Sequence, residues 1–258
     1  MNVTVNGLNI NYWDNGRENA ETVLFLHGWG ATFEIYRRAV LEPLASKYRV
    51  VAFDMPGVGG SQEPAEPMTV SDYVDLAEKF AQAVDIKECT LICHSHGGRV
   101  SVGIMSDENS PLRVKRAVFI DAAGVVPKRS LGYKLRQRAY KCLRVLGTNK
   151  LTKPLFGEVY EIQRDKRSSA DYKAASPVMR KTLSNVVNTD MTPFMPKIKV
   201  PVLLIWGEND TATPLSDGQL MEKLIPGSGL AVVKGGSHFP FVENPSQFSA
   251  ILSAFMLQ

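Results

Sequence analysis

LICHSHGG, residues 91–98, places Ser95 between two histidines and one step after Cys93, and holds two of the four histidines of the 258-residue chain. The stretch has two readings, a metal site or a nucleophile at a turn. A metal site needs three or four ligands of matched geometry. Cys93, His94 and His96 offer candidate atoms, yet neighbours on a strand point to opposite faces. No second tight ligand pair occurs elsewhere, so no metal is expected. A serine at a sharp strand-to-helix turn instead requires small residues two positions before and two after it. Cys93 and Gly97 fill those positions, and Gly98 adds room, although cysteine stands where glycine is usual. The competing reading of this stretch alone is a buried serine at a glycine-rich turn that does nothing.

Working outward, short apolar runs alternate with amphipathic stretches. TVLFL (22–26), VVAF (50–53), TLIC (90–93), AVFI (117–120), VLLIW (202–206) and LAVV (230–233) have the continuous β-branched and aliphatic character of parallel strands buried on both faces. Residues 3–5 and 8–12, joined at Asn6-Gly7, read as a hairpin. Residues 70–84 show helical spacing, with Thr69 or Ser71 as the cap, and further helices are expected over 215–224 and 245–255. The alternation predicts an α/β fold with a mostly parallel sheet. It breaks between Val125 and Pro196, in a basic, helix-prone stretch read as an insertion after the sixth strand.

Composition narrows the function classes. The chain is 44% hydrophobic and 22% charged, ordinary for a globular protein with a substantial core. No apolar run approaches the roughly 18 residues of a membrane span, and the N-terminus lacks the pattern of a secretory signal. Cys89, Cys93 and Cys142 are too few for a disulfide framework, which points to the cytoplasm. The net charge is +4, but residues 127–199 hold 17 Lys and Arg against 5 Asp and Glu. Arg129, Lys134, Arg136, Arg138, Lys141 and Arg144 fit either an anionic substrate or solvated helices. Leu131, Leu135, Ala139, Leu143 and Leu146 fall at helical spacing, and this stripe is expected to pack on the core domain or line an acyl pocket. Membrane contact is not expected. Nor is nucleic-acid binding, since no aromatic platform accompanies the charges.

Ligand sites in open α/β sheets gather at the carboxyl ends of strands. All four histidines fall there: His27 after TVLFL, His94 and His96 after TLIC, and His238 after LAVV. A serine needs a histidine to take its proton and a carboxylate to fix that histidine's tautomer. Asp210 follows VLLIW in GENDTATP, and His238 lies in GGSHFPFVENP. Asp121, at the end of AVFID, is the alternative acid.

At this point the sequence resembles the α/β-hydrolase superfamily, through LFLHGWG, FDMPGVGGS, LICHSHGGR, LLIWGENDTATP and GGSHFPFVENP as well as the opening hairpin. The resemblance implies an eight-stranded, mostly parallel sheet flanked by helices. Residues 1–124 and 197–258 would form the core domain, and residues 125–196 a basic helical cap. It implies Ser95 as nucleophile, His238 as general base and acid, and Asp210 as the residue orienting it. The oxyanion donors would be the backbone N–H groups of Trp29 and His96. His27, Gly28 and Phe239 are candidates for the substrate pocket, His27 also for a structural support of its loop, and Asp54 is placed in a structural turn. No cofactor is implied. The expected substrate is a small acyl compound, anionic or apolar, with a carboxylic ester as the default. A C–C hydrolase of the meta-cleavage-product type and a ligand receptor with little turnover remain alternatives.

Overall fold

The computed structural model describes residues 1–18, 20–126, 131–167 and 175–257. Each apolar run forms a strand: β1 (Asn2–Val5), β2 (Leu8–Asp14), β3 (Thr22–Leu26), β4 (Arg49–Phe53), β5 (Glu88–His94), β6 (Arg113–Ile120), β7 (Val202–Gly207) and β8 (Ser228–Val233). They join one eight-stranded sheet in the order β1-β2-β4-β3-β5-β6-β7-β8. The β1–β2 and β2–β4 pairs are antiparallel and the other five pairs parallel. The first hairpin turns on Asn6 (φ 52°) and Gly7 (φ 76°), the left-handed pair that a two-residue loop requires.

Register brings the carboxyl ends of the central strands level. Leu26 sits opposite Cys93, His94 opposite Ile120, Ile120 opposite Ile205 and Gly207 opposite Val233. The loops that leave these strands therefore start from one edge. Leu24, Leu91, Phe119 and Leu204 point to one apolar layer, and Phe25, Ile92, Ile120 and Ile205 to the other. A parallel sheet covered on both faces needs both layers, which is why its strands read as unbroken apolar runs.

Helix α1 (Val70–Ala83) starts at a capping box, in which Thr69 and Asp72 satisfy each other's backbone N–H. It packs beside α2 (His96–Ser106), which leaves β5 directly. The helices α3 (Leu131–Thr148), α4 (Lys153–Arg167) and α5 (Pro177–Val187) occupy the stretch without strands, and α6 (Leu215–Leu224) and α7 (Pro245–Met256) follow β7 and β8.

Two compact units divide the chain: residues 1–126 with 181–258, and residues 127–180. The stretch 125–196, expected as an insertion, contains the second unit and extends past it at both ends. Val186, Met191, Met195 and Ile198 are buried in the same apolar layer as Trp206 and Met221, and Met191 N–H donates to Gly124 O at 2.8 Å. These apolar anchors join the chain after residue 180 to the core layer. Within the second unit, α3 meets α4 through Tyr140 and Gly147. The Tyr140 and Tyr160 rings lie 6.0 Å apart, and a Cβ on Gly147 would stand 2.5 Å from Tyr160 Cβ. Of the leucine stripe, Leu135 is 63% exposed and Leu146 37% exposed. Arg129 lies outside the described residues, as do the side chains of Leu131 and Lys134.

Candidate active site

Ser95 occupies the junction of β5 and α2 with φ 47° and ψ −114°, a left-handed backbone that a non-glycine residue rarely adopts. The turn fits because its neighbours are small. A Cβ on Gly97 would stand 2.2 Å from Leu26 O, and one on Gly98 would stand 2.6 Å from Ala122 Cβ. Cys93 is fully buried on β5 and its thiol is pushed up to about 12 by burial, so it serves as an apolar spacer here. Backbone bonds lock the turn: Ser95 N–H donates to Ile120 O, and Ala123 N–H to Ser95 O at 2.7 Å.

His238, in the loop after β8, brings Nε2 to 3.0 Å from Ser95 Oγ and Nδ1 to 2.8 Å from Asp210 Oδ2. Asp210 accepts only, so Nδ1 carries the proton and Nε2 is left to accept from the serine hydroxyl. Asp210 also accepts from Ala212 N–H, Thr213 N–H and the Thr213 hydroxyl. Burial pushes its carboxyl upward, but the bonds from His238 and Thr213 outweigh burial and hold it below the ordinary carboxylate value of 3.8. Such a chain can pass the serine proton to the imidazole and stabilise the imidazolium.

The other three histidines divide by their partners. Imidazole Nδ1–H of His27 donates to Gly28 O, and Nε2 accepts from Met55 N–H, both at 2.7 Å. Both nitrogens of this buried ring are committed to backbone. His27 thereby ties Gly28 to Met55 and supports its loop. His94 Nε2–H donates to His238 O, which fixes Nδ1 as acceptor of the Tyr36 hydroxyl. Burial, then the nearby His238, pushes His94 down to about 3, so its ring is neutral. His96 packs edge-on against Trp29 and Tyr73. Among the described residues its two buried ring nitrogens have no hydrogen-bond partner, and neither has Nε of Arg99, one helical turn further along α2. Arg99, a buried cation facing Asp217 and Asp190, is a residue that sequence reasoning missed. Its side chain falls on the same face of α2 as His96, which the spacing of three positions could have signalled.

The loop of residues 27–30 passes over the serine turn: a Cβ on Gly28 would stand 3.2 Å from Ser95 Cβ. Among the described residues the backbone N–H groups of Trp29 and His96 have no hydrogen-bond partner. Phe239 lies partly exposed beside His238 and stacks on His94 at 5.2 Å between ring centroids. Asp54 accepts from Phe33 N–H, Gly60 N–H and Asn11 Nδ2, and works as a structural brace. Asp121 is fully buried behind Asp210. Among the described residues no group of three or more His, Cys, Asp or Glu side chains is placed to hold a metal ion.

The family model for the alpha/beta hydrolase fold matches residues 21–245. The chain belongs to the α/β-hydrolase fold family. Among curated relatives of this hydrolase, the pimeloyl-[acyl-carrier protein] methyl ester esterase of Aeromonas hydrophila is 24% identical over 257 residues, spanning 91% of this chain and 94% of that one. Among solved structures, a bacterial membrane phospholipase A is 26% identical, with a TM-score of 0.77 over 99% of this chain and 84% of that one. The meta-cleavage product hydrolase of Pseudomonas fluorescens shares the fold, at 20% identity and a TM-score of 0.73 over 99% and 97% of the two chains. Among the described residues no helix of this hydrolase is long and apolar enough to cross a membrane.

Proposed function

We propose that this hydrolase cleaves a carboxylic ester of a small acyl compound through an acyl-enzyme on Ser95. The observation that carries the reading is the unbroken chain Ser95 Oγ, His238 Nε2, His238 Nδ1, Asp210 Oδ2, with links of 3.0 and 2.8 Å. His238 takes the hydroxyl proton as Oγ adds to the ester carbonyl. The oxyanion forms between the N–H groups of Trp29 and His96, where oriented donors act in a site screened from water. His238 then gives its proton to the departing alkoxide, and a water activated by the same imidazole releases the acid. Likeness to esterases supports the ester as substrate, and the basic 127–199 stretch supports an anionic group on it. Neither nucleic acid nor membrane is required. The buried thiols of Cys89 and Cys93 suit a reducing cytoplasm.

Steady-state hydrolysis of 4-nitrophenyl esters of increasing acyl length tests the reading. Turnover by wild type that is lost in Ser95→Ala supports it. Burst release without turnover would favour a receptor, and cleavage of a vinylogous diketone without ester hydrolysis would favour C–C bond chemistry.

A further inference from the structure

Asp121 ends β6 in a place that ordinary carboxylates avoid. It is 0% exposed and adopts a left-handed φ of 41°. Its Oδ1 accepts from Gly207 N–H at 2.8 Å. The buried Oδ2 has no hydrogen-bond partner among the described residues, and Gly207, which donates to Oδ1, accepts Asp210 N–H through its own carbonyl at 3.3 Å. Thr213 ties the two together, since its hydroxyl touches both Asp121 O at 3.0 Å and Asp210 Oδ2 at 2.7 Å.

Two ionised carboxylates held close together inside a protein repel strongly, and an unpaired buried charge is expensive. Asp210 is the better solvated by donors: His238, Ala212 and Thr213 all bond to it. Asp121 has one donor. A single proton on Asp121 resolves both problems, because it turns the orphaned acceptor into a donor and the neighbour into its acceptor.

We propose that Asp121 is a neutral carboxylic acid that donates a hydrogen bond to Asp210, making it a positioning residue for the Asp210–His238 pair. The proposal rests on the serine-hydrolase reading of that pair. The charges acting on Asp121 are Asp210 from the loop after β7 and Glu243 from the turn after β8, both negative, while His238 acts on Asp210 and Asp210 in turn on Asp217. Burial, first, and these acids push the Asp121 carboxyl up to about 9. The neutral form thus spans the physiological range. Extra hydrogen bonding to Asp210 holds its carboxylate square to His238 Nδ1 and fixes the imidazole tautomer.

The test compares wild type with Asp121→Asn, which keeps a donor toward Asp210 and an acceptor for Gly207, and Asp121→Ala, which keeps neither. Infrared spectra at neutral pH should show the carbonyl stretch of a buried protonated carboxyl in wild type, absent from Asp121→Asn. Rates of fluorophosphonate labelling should fall less than about threefold in Asp121→Asn and about tenfold or more in Asp121→Ala. A wild type lacking the infrared band overturns the proposal. So does Asp121→Asn labelling as slowly as Asp121→Ala, or Asp121→Ala labelling as fast as wild type. The infrared arm needs no reactive serine, so failure of the hydrolase reading is distinguishable. It also keeps the proposal testable if Asp121→Ala does not fold.

Discussion

His94 Nε2–H donates to the backbone carbonyl of His238 at 2.7 Å, joining the end of β5 to the loop that carries the proposed base. Its other nitrogen accepts from Tyr36, whose oxygen in turn accepts Gly28 N–H. A neutral imidazole thereby links the loop over Ser95 with the loop that brings His238 to it. Each of the three groups has one role left, so the direction of every proton in the relay is fixed.

Replacing His94 by Phe keeps the ring and its stacking on Phe239 but removes both bonds. Leaving the buried Tyr36 hydroxyl proton and the His238 carbonyl unpaired should lower stability by about 2–4 kcal/mol. The looser His238 loop should lower kcat more than it raises KM. Denaturant unfolding and steady-state kinetics check the two effects separately.

Gly97→Ala should be poorly tolerated, because its Cβ would meet Leu26 O, backbone that cannot swing aside. A loss of about 3 kcal/mol is expected, together with loss of activity as the serine turn shifts. Gly229→Ala, where nothing lies within 4 Å, is the control and should stay within about 0.5 kcal/mol of wild type.

Asp210→Asn separates orientation from charge. The amide can donate to Nδ1 and so favours the wrong imidazole tautomer, with a loss in kcat on the order of 10⁴. The variant should also change acid stability. Asp210 is held below its ordinary value in the fold, so it stabilises the fold above that value and loses the contribution as pH falls. The stability of wild type should therefore decline toward acid more steeply than that of Asp210→Asn, as thermal melts across pH would show.

Asp121→Asn should show the opposite slope. A carboxyl raised from 3.8 to about 9 keeps its proton in the fold and gives it up on unfolding between those values. The folded state then binds more protons, so wild type loses stability as pH rises through that window. Asp121→Asn lacks this group. Its stability relative to wild type should grow steadily from about pH 4 to pH 9 in the same melts, and an unchanged difference would count against a neutral Asp121.

The strands were legible because burial on both faces leaves no polar alternation, so TVLFL, TLIC and VLLIW announce themselves. The order of Ser95, Asp210 and His238, each just beyond a separate strand, was legible for the same reason. Contacts with distant backbone were not. The structural role of His27 was anticipated, but its partner was not: Met55 N–H, 28 positions away, reaches its ring. Asp121 and Asp210 look alike in sequence, and the number of donors around each sets them apart. The packing of Val186 and Met195 into the core layer was not legible, because the absence of strand alternation between Val125 and Pro196 says nothing about which apolar residues of that stretch are buried.

Intact-mass analysis after treatment with a fluorophosphonate tests the central claim, an activated Ser95, most directly. Wild type should gain one adduct, with Ser95→Ala and His238→Ala gaining none under the same conditions. An unlabelled wild type, or an adduct that persists in Ser95→Ala, would contradict the account.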